Sequence, residues 1–328
     1  MVRTVLRRAI ESAVTLLLVL FVSFLMLRDL GDPAQVLIGE RGSAGDNRNL
    51  REASGLDDSV PTQFFRFLKR AAQGDLGNSY RSGLPVAGLL AERLPASFEL
   101  VCCASALTAI LAIPLGVFSA SQRESRWSQA VQVVSLAGSS IPTFLTGVLL
   151  IFAVAVSVPL LPASGRGEVR ELGWWSTGLL TSSGLRSLVL PSITIALYQW
   201  ALFQALIRTE MIDALRSGHI VSARARGLSA WSILVRHGLR NAMIPVLTVA
   251  ATQFGALMAC SIATETVFEW PGLGSLFIHA LRNADYPVIS GYLLFSSTLF
   301  MAIHLVADAV CLAADPRRRF PAGDGPER

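Results

Sequence analysis

The chain has 328 residues, 52% of them hydrophobic and 16% charged, with a mean hydropathy of +0.52, a balance that excludes an ordinary soluble domain. Its four cysteines, Cys102, Cys103, Cys260 and Cys311, sit inside apolar runs without zinc-site spacing, so they read as small buried hydrophobes and not as a disulfide or metal framework. The formal net charge of +5 needs no nucleic-acid partner, because the placement of the arginines follows membrane topology.

Six apolar runs are long enough to cross a bilayer as helices, which takes about 20 residues. They are 9–27, 98–119, 131–158, 188–206, 239–263 and 288–312. Arg3, Arg7 and Arg8 precede the first. Arg123 and Arg126 separate the second and third, and Arg208, Arg216, Arg224, Arg226, Arg236 and Arg240 separate the fourth and fifth. Arg317, Arg318, Arg319 and Arg328 follow the sixth, whereas the opposite short loops hold only Arg166, Arg170, Arg186 and Arg282. The positive-inside bias places both termini and the 208–240 loop in the cytoplasm. The first run also has the basic and apolar regions of a signal peptide. Its length, and the absence of a small-residue cleavage site after it, favour a retained span.

Residues 31–95 form an extended extracytoplasmic segment, too long for a simple connector. Within it, 61–72 has the pattern of an amphipathic helix. Pro61 suits the first turn, Phe64, Phe67, Leu68 and Ala71 share a face, and Gly74 is the terminator. Such a helix packs on the membrane domain or lies in the interface more readily than it touches solute. Residues 41–51 read as a loop. The chain thus divides into 1–95, a first helix and outer segment; 96–319, a five-helix core; and 320–328, a tail. Pro114 and Gly116 in the second run, and Gly138, Pro142 and Gly147 in the third, mark either gating bends or close helix packing.

Between the fourth and fifth runs the sequence reads as a basic helical hairpin. Residues 212–226 have helical character, and Gly227 stands where a left-handed helix end costs glycine nothing. Leu228 follows as a hydrophobic contact, and Ser229 can cap a second helix over 230–240. Small residues Ser222, Ala223 and Ala225 allow a partner's close approach, with Arg224 and Arg226 supplying charge. The plain alternative is a positive-inside loop with no partner.

Ionisable residues within or beside the spans are few. Glu99 and Glu265 lie near outer membrane edges, and His304 and Asp308 fall in the sixth run. Glu265 reads either as part of an external gate or as a cap beside the Trp270-Pro271-Gly272 turn. Asp308 reads as a pathway residue or as a hydrogen-bonded structural group near the cytoplasmic end. No GxxxxGK[ST] loop, HExxH or GxSxG is present, so nothing predicts nucleotide, metal or cofactor binding or catalysis by this chain.

The stretch from Ser222 to Pro245 closely resembles the coupling loop of ATP-binding-cassette (ABC) importer permeases, in the form found in the dipeptide, oligopeptide and nickel family. The match runs through Ala223, Arg224, Ala225, Gly227, Leu228, Arg236, His237, Arg240, Asn241, Ala242, Ile244 and Pro245. Val221 and Ser222 replace the Glu and Ala of the general motif, as is usual in this subfamily. Gly55-Leu56-Asp57, Gly74 to Ser79, Pro85-Val86 and Arg93 to Leu100 are similar to the outer region of the same permeases. Glu265 to Gly274, Asp285-Tyr286-Pro287 and Asp315-Pro316-Arg317 complete the resemblance, which covers roughly 1–319.

The resemblance implies an all-α integral membrane protein with the type I ABC importer permease fold and six transmembrane helices. It lies in the bacterial inner membrane in contact with lipid. It implies a permease for peptides or similar small solutes, partnered by a second permease, two cytoplasmic ATPase subunits that hydrolyse ATP, and an extracytoplasmic solute-binding protein. The implied coupling residues are Ile220, Ser222, Ala223, Arg224, Ala225, Arg226, Gly227 and Leu228, and the pathway or gate candidates are Glu265, Trp270 and Asp308. Competing readings are a secondary transporter or channel complete in one chain, and an intramembrane enzyme. The lack of buried acid pairs and of catalytic motifs weighs against both.

Overall fold

A computed structural model describes residues 58–314, together with 10, 14–18, 20–22, 24 and 25; the side chains of 260 and 308–314 are outside this set. Arg3, Arg7, Arg8, the 41–51 loop, Gly55-Leu56-Asp57, the Asp308 and Cys311 side chains, Asp315-Pro316-Arg317 and the tail therefore lie outside the described residues, as does most of the 9–27 run.

The helices are α1 (Val60–Ala72), α2 (Val86–Ser121), α3 (Arg126–Ser140), α4 (Thr143–Leu150), α5 (Ser182–Arg216), α6 (Gly218–Ala225), α7 (Arg240–Cys260), α8 (Ile262–Val267), α9 (Leu273–Arg282) and α10 (Tyr286–Ala314). A two-stranded antiparallel hairpin, β1 (Arg170–Leu172) with β2 (Trp175–Thr177), turns at Gly173. Four described helices are long and apolar enough to span a membrane: 86–121, 182–216, 232–259 and 286–307. The 36 residues of α2 extend about 54 Å at 1.5 Å per residue, well beyond a hydrocarbon core of about 30 Å. Its end therefore projects from the membrane.

The third run departs from the expected single helix. It breaks into α3 and α4, inclined at 99°. Ile141 is extended (φ −85°, ψ 128°) because a residue before proline is pushed out of the helical region, and Pro142 opens α4. A π-helical turn, Ile151–Val156, continues α4. Pro114, by contrast, lies within an unbroken α2. Two residues on, Gly116 lets α5 come close; a Cβ there would meet the Ile207 side chain at 2.7 Å.

The predicted amphipathic helix is α1. Phe64 is its buried residue, Phe67, Leu68 and Ala71 are half-buried on the same side, and Phe65 points out. Phe21 and Phe24 of the N-terminal segment meet Phe64 edge-on and tilted, with ring centroids at 5.1 and 5.6 Å, so α1 packs on helix. Gly74 ends the turn that follows, at φ +80°.

The core is stratified. Val86, Leu90, Leu273, Val288, Ile289 and Tyr292 join α2, α9 and α10 at the end where α2 begins. Ala112, Phe203, Ile207, Met211 and Val246 join α2, α5 and α7 at the opposite end. Nearby, Gln204 is fully buried, donating to Ser119 Oγ at 3.3 Å and accepting from Ser135 Oγ at 3.2 Å. Such side-chain bonds join helices where lipid supplies no hydrophobic drive.

Candidate functional site

The basic hairpin lies at the α2 C-terminal end of the bundle. Its helix is shorter than predicted. α5 stops at Arg216, Ser217 is extended (ψ 148°), and α6 restarts at Gly218. A serine whose side chain bonds the Ala214 carbonyl is a local competitor of the helix. The far end matches the expectation. Gly227 has φ +77° and donates to the Arg224 carbonyl at 2.9 Å, while Leu228 N–H reaches the Ala223 carbonyl at 3.3 Å. These two bonds make a Schellman end. Ser229 Oγ then accepts from Ser232 N–H at 3.3 Å as the next N-cap. The second helix does not stop at residue 240; it runs through a π-helical segment, Ser232–Leu239, into α7.

Burial sorts the predicted coupling residues. Ile220 and Ala223 are enclosed against Ile233 and Leu215, so Ala223 packs inward and is closed to a partner. Ser222, Arg224, Ala225, Arg226, Gly227 and Leu228 are exposed. Leu228 is 39% exposed and lies outside the hairpin's apolar cluster. Val221 and Trp231, absent from the predicted set, are more exposed still, Trp231 at 73%. Trp231 was legible as an aromatic in a polar stretch. Among the described residues no ion pair neutralises Arg216, Arg224, Arg226, Arg236 or Arg240. The result is a short, doubly hinged helix with an apolar surface and free positive charge.

At the opposite end the remaining motif segments converge. Glu265 is wholly buried on α8. Its Oε1 accepts from the Ser97 and Ser261 hydroxyls, both at 2.7 Å, and its Oε2 accepts from Gly274 and Ser275 N–H at 2.8 and 3.0 Å. Ser97 Oγ in turn accepts from Leu273 N–H. The first-turn donors of α9 are thereby satisfied, with negative charge at the favourable end of its dipole. Gly272 must be glycine, since a Cβ there would collide with the Glu265 carboxylate and Ser97 Oγ. Trp270 is fully buried and donates Nε1–H to the Ala96 carbonyl at 2.9 Å. Neither Glu265 nor Trp270 faces an open passage.

Two further ties were not foreseen. Arg166 and Glu99 form a buried ion pair at 2.7 Å, completed by Ser176 on the arginine and Gly178 N–H on the carboxylate. Their sequence separation hid the pairing, although a carboxylate near a span is itself a signal for a partner. Asp285 accepts from Ser79 Oγ at 2.6 Å and Tyr80 N–H at 3.1 Å, joining the 74–86 loop to the start of α10. In that loop the Arg70 hydrogen bond, then the Gly77 N–H, hold the exposed Asp75 carboxyl below the usual aspartate range. Burial, then the Asp285 charge, push the Tyr80 phenol up.

Between the ends, α2, α5, α7 and α10 line an open apolar pocket of about 660 Å³, with Thr108, Gln199, Phe203, Met243, Phe254 and Ile303 among its walls. No described lining residue is charged. No cluster of three or more metal-ligating side chains occurs among the described residues.

Residues 112–320 match the family described as the inner membrane component of binding-protein-dependent transport systems, and residues 1–101 match its N-terminal domain. The chain belongs to this family. It is a multi-pass permease subunit of an ABC importer, resident in the inner membrane. It is 33% identical over 323 residues to a putative peptide transport system permease of Brucella abortus, covering 98% of this chain and 100% of the relative. It is also 33% identical to the dipeptide transport system permease of Escherichia coli, over 88% of this chain and 90% of that one. The permease fold is similar to that of the inward-facing MetNI methionine ABC transporter, with a TM-score of 0.56 and 16% identity over 69% of this chain and 96% of that one.

Proposed function

We propose that this permease forms, with a second six-helix permease, the path by which peptides or similar small solutes enter the cytoplasm. The names of its relatives, peptide and dipeptide permeases, support the solute class. A solute-binding protein delivers cargo at the end carrying the 74–86 loop. Two ATPase subunits bind the opposite end and hydrolyse ATP, a step for which this chain has no phosphate-cradling loop. Both termini and the hairpin are cytoplasmic.

The observation that carries the reading is the hairpin. It presents Val221 and unpaired Arg224 on a helix too short to serve any span, with unpaired Arg226, Leu228 and Trp231 exposed just beyond its end. An aromatic anchor with a charged rim is the composition of a protein-docking surface. Ser222, Ala225 and Gly227 keep that surface shallow, while Ile220 and Ala223 brace it from within. Glu265 and Trp270 serve the pathway by holding its outer end rigid, without touching solute. Asp308 remains a candidate pathway residue from its place in the sequence.

Co-purification from membranes co-expressing all subunits tests docking. Arg224→Glu is expected to lower recovered ATPase about tenfold, the equivalent of ~1.4 kcal/mol, with permease levels unchanged. Full recovery with Arg224→Glu, Trp231→Ala and their combination would rule the docking surface out. The isolated chain is expected to turn over no ATP.

A further inference from the structure

The hairpin reading leaves open how a push on α6 enters the membrane domain. α6 is hinged at both ends, by extended Ser217 and by left-handed Gly227. The Ser217 hinge separates it from α5. Toward α7, the chain between Gly227 and residue 240 passes through the π-helical segment Ser232–Leu239. π-helical turns are rare interruptions of α-helices, frequently at functional sites. The regular helical backbone is therefore interrupted on either route out of α6.

One side-chain contact bypasses both. His219 Nε2, in the first turn of α6, lies 2.8 Å from Asn241 Nδ2. Asn241 is the second residue of α7, immediately past the π-helical segment. The contact is a hydrogen bond in either amide orientation. Asn241 N–H donates to a neutral ring nitrogen, or, with the amide turned over, Nε2–H donates to its oxygen. Ser217 Oγ, at 3.3 Å from the same Nε2, steadies the ring. Ile220 and Ala223 pack on Ile233, within the π-helical segment, and on Leu215 of α5, which also packs in the cluster holding Ala242 and Val246, so apolar packing reaches α7 only through α5 or the π-helical segment. Beyond Asn241, α7 supplies Met243, Val246, Leu247 and Ala250 to the pocket wall.

We propose that His219 and Asn241 are positioning residues that carry displacement of α6 directly into α7, and so to the wall of the apolar pocket that α7 lines. The inference rests on the hairpin being the ATPase contact. It assigns a direct polar route to the fifth run, beside the apolar packing of α6 on Leu215 of the fourth.

The test uses the assembled transporter in lipid nanodiscs, with the four native cysteines replaced and a single cysteine at Ala250→Cys. Its maleimide labelling rate is measured with and without ATP, Mg²⁺ and vanadate, so no solute is needed. In the otherwise unsubstituted hairpin, trapping changes the rate. His219→Ala and Asn241→Ala are each expected to shrink that change about fivefold, the scale of one hydrogen bond, while ATPase co-purification and basal hydrolysis persist. The double variant is expected to behave like either single one, and His219→Gln to recover most of the change. An undiminished response in both alanine variants overturns the route, as does a double variant whose loss is the product of the singles. If the unsubstituted hairpin itself shows no ATP-dependent change, the coupling reading fails and the route falls with it. Loss of ATPase docking in Arg224→Glu alongside a normal His219→Ala response sinks the route alone.

Discussion

At the scale of single residues, Gly227 and Glu265 hold the two ends of the molecule by different physics. Around Gly227 a Cβ would meet nothing within 4 Å, yet its φ is +77°. Gly227→Val therefore tests conformation without a steric clash. The left-handed backbone costs a branched residue on the order of 1–2 kcal/mol, enough to shift the α6 end out of its Schellman geometry. Normal membrane levels with weakened ATPase recovery are expected for Gly227→Val, whereas Gly227→Asn, which tolerates that region, should stay near the parent. Equal recovery from both variants would show that the left-handed end is dispensable. Glu265 is the opposite case, where everything is contact. Glu265→Ala would strand two hydroxyls and two backbone N–H groups inside the protein. Hydrogen bonds to a buried charge are worth about 1.5–3 kcal/mol each, so a large drop in the midpoint of thermal unfolding in detergent is expected. Glu265→Gln should fall between, since its amide can accept from one side only. A midpoint for Glu265→Ala near the parent value would remove the capping role.

At the scale of elements, the outer loop containing the β hairpin is tied to α2 by the Arg166–Glu99 pair. Both side chains are almost fully enclosed, at 8% and 3% exposure. Removing one partner of such a pair leaves an uncompensated charge and costs about 3–5 kcal/mol, whereas replacing both with apolar groups is often neutral. Arg166→Met alone should thus destabilise far more than Arg166→Met with Glu99→Leu. A double variant as unstable as the single one would mean that the loop is held by other contacts. This pair also marks the limit of what the sequence disclosed. Four of the six spans, the amphipathic α1, the Gly227 end and the Ser229 cap were legible because each rests on local chemistry within a few residues. The Ser217 break and the π-helical segment were not, and the 99° bend was readable only as one of two alternatives, because a single serine or proline tolerates a helix as readily as it breaks one. Pro142 offered the only local hint of the bend, and Pro114, of the same type, left α2 intact. The convergence of Ser97, Glu265 and Leu273 was readable only as motifs with unknown neighbours. The inward turn of Ala223 required knowing which side of α6 met Ile233.

At the scale of the whole molecule, the fold has two chemically different ends, and the proposed orientation in the membrane can be tested on them. The end bearing α3's start, α6 and the α7 approach carries exposed arginines without partners. At the other end, three of the arginines, Arg66, Arg70 and Arg166, are paired with Asp58, Asp75 and Glu99. Acidic partners alter the bias little and long segments translocate largely regardless of charge, so the expected orientation rests on the arginines of the short loops. The prediction uses three exposed positions in a background lacking the native cysteines: Glu124→Cys between α2 and α3, Ala230→Cys on the hairpin, and Ser182→Cys at the start of α5. In intact spheroplasts an impermeant maleimide is expected to label Ser182→Cys alone. After permeabilisation the other two should react as well, which separates sidedness from burial. Labelling of Ala230→Cys before permeabilisation, with Ser182→Cys protected, would invert the topology. The hairpin would then face away from ATP, and a channel or carrier complete in one chain would become the better account.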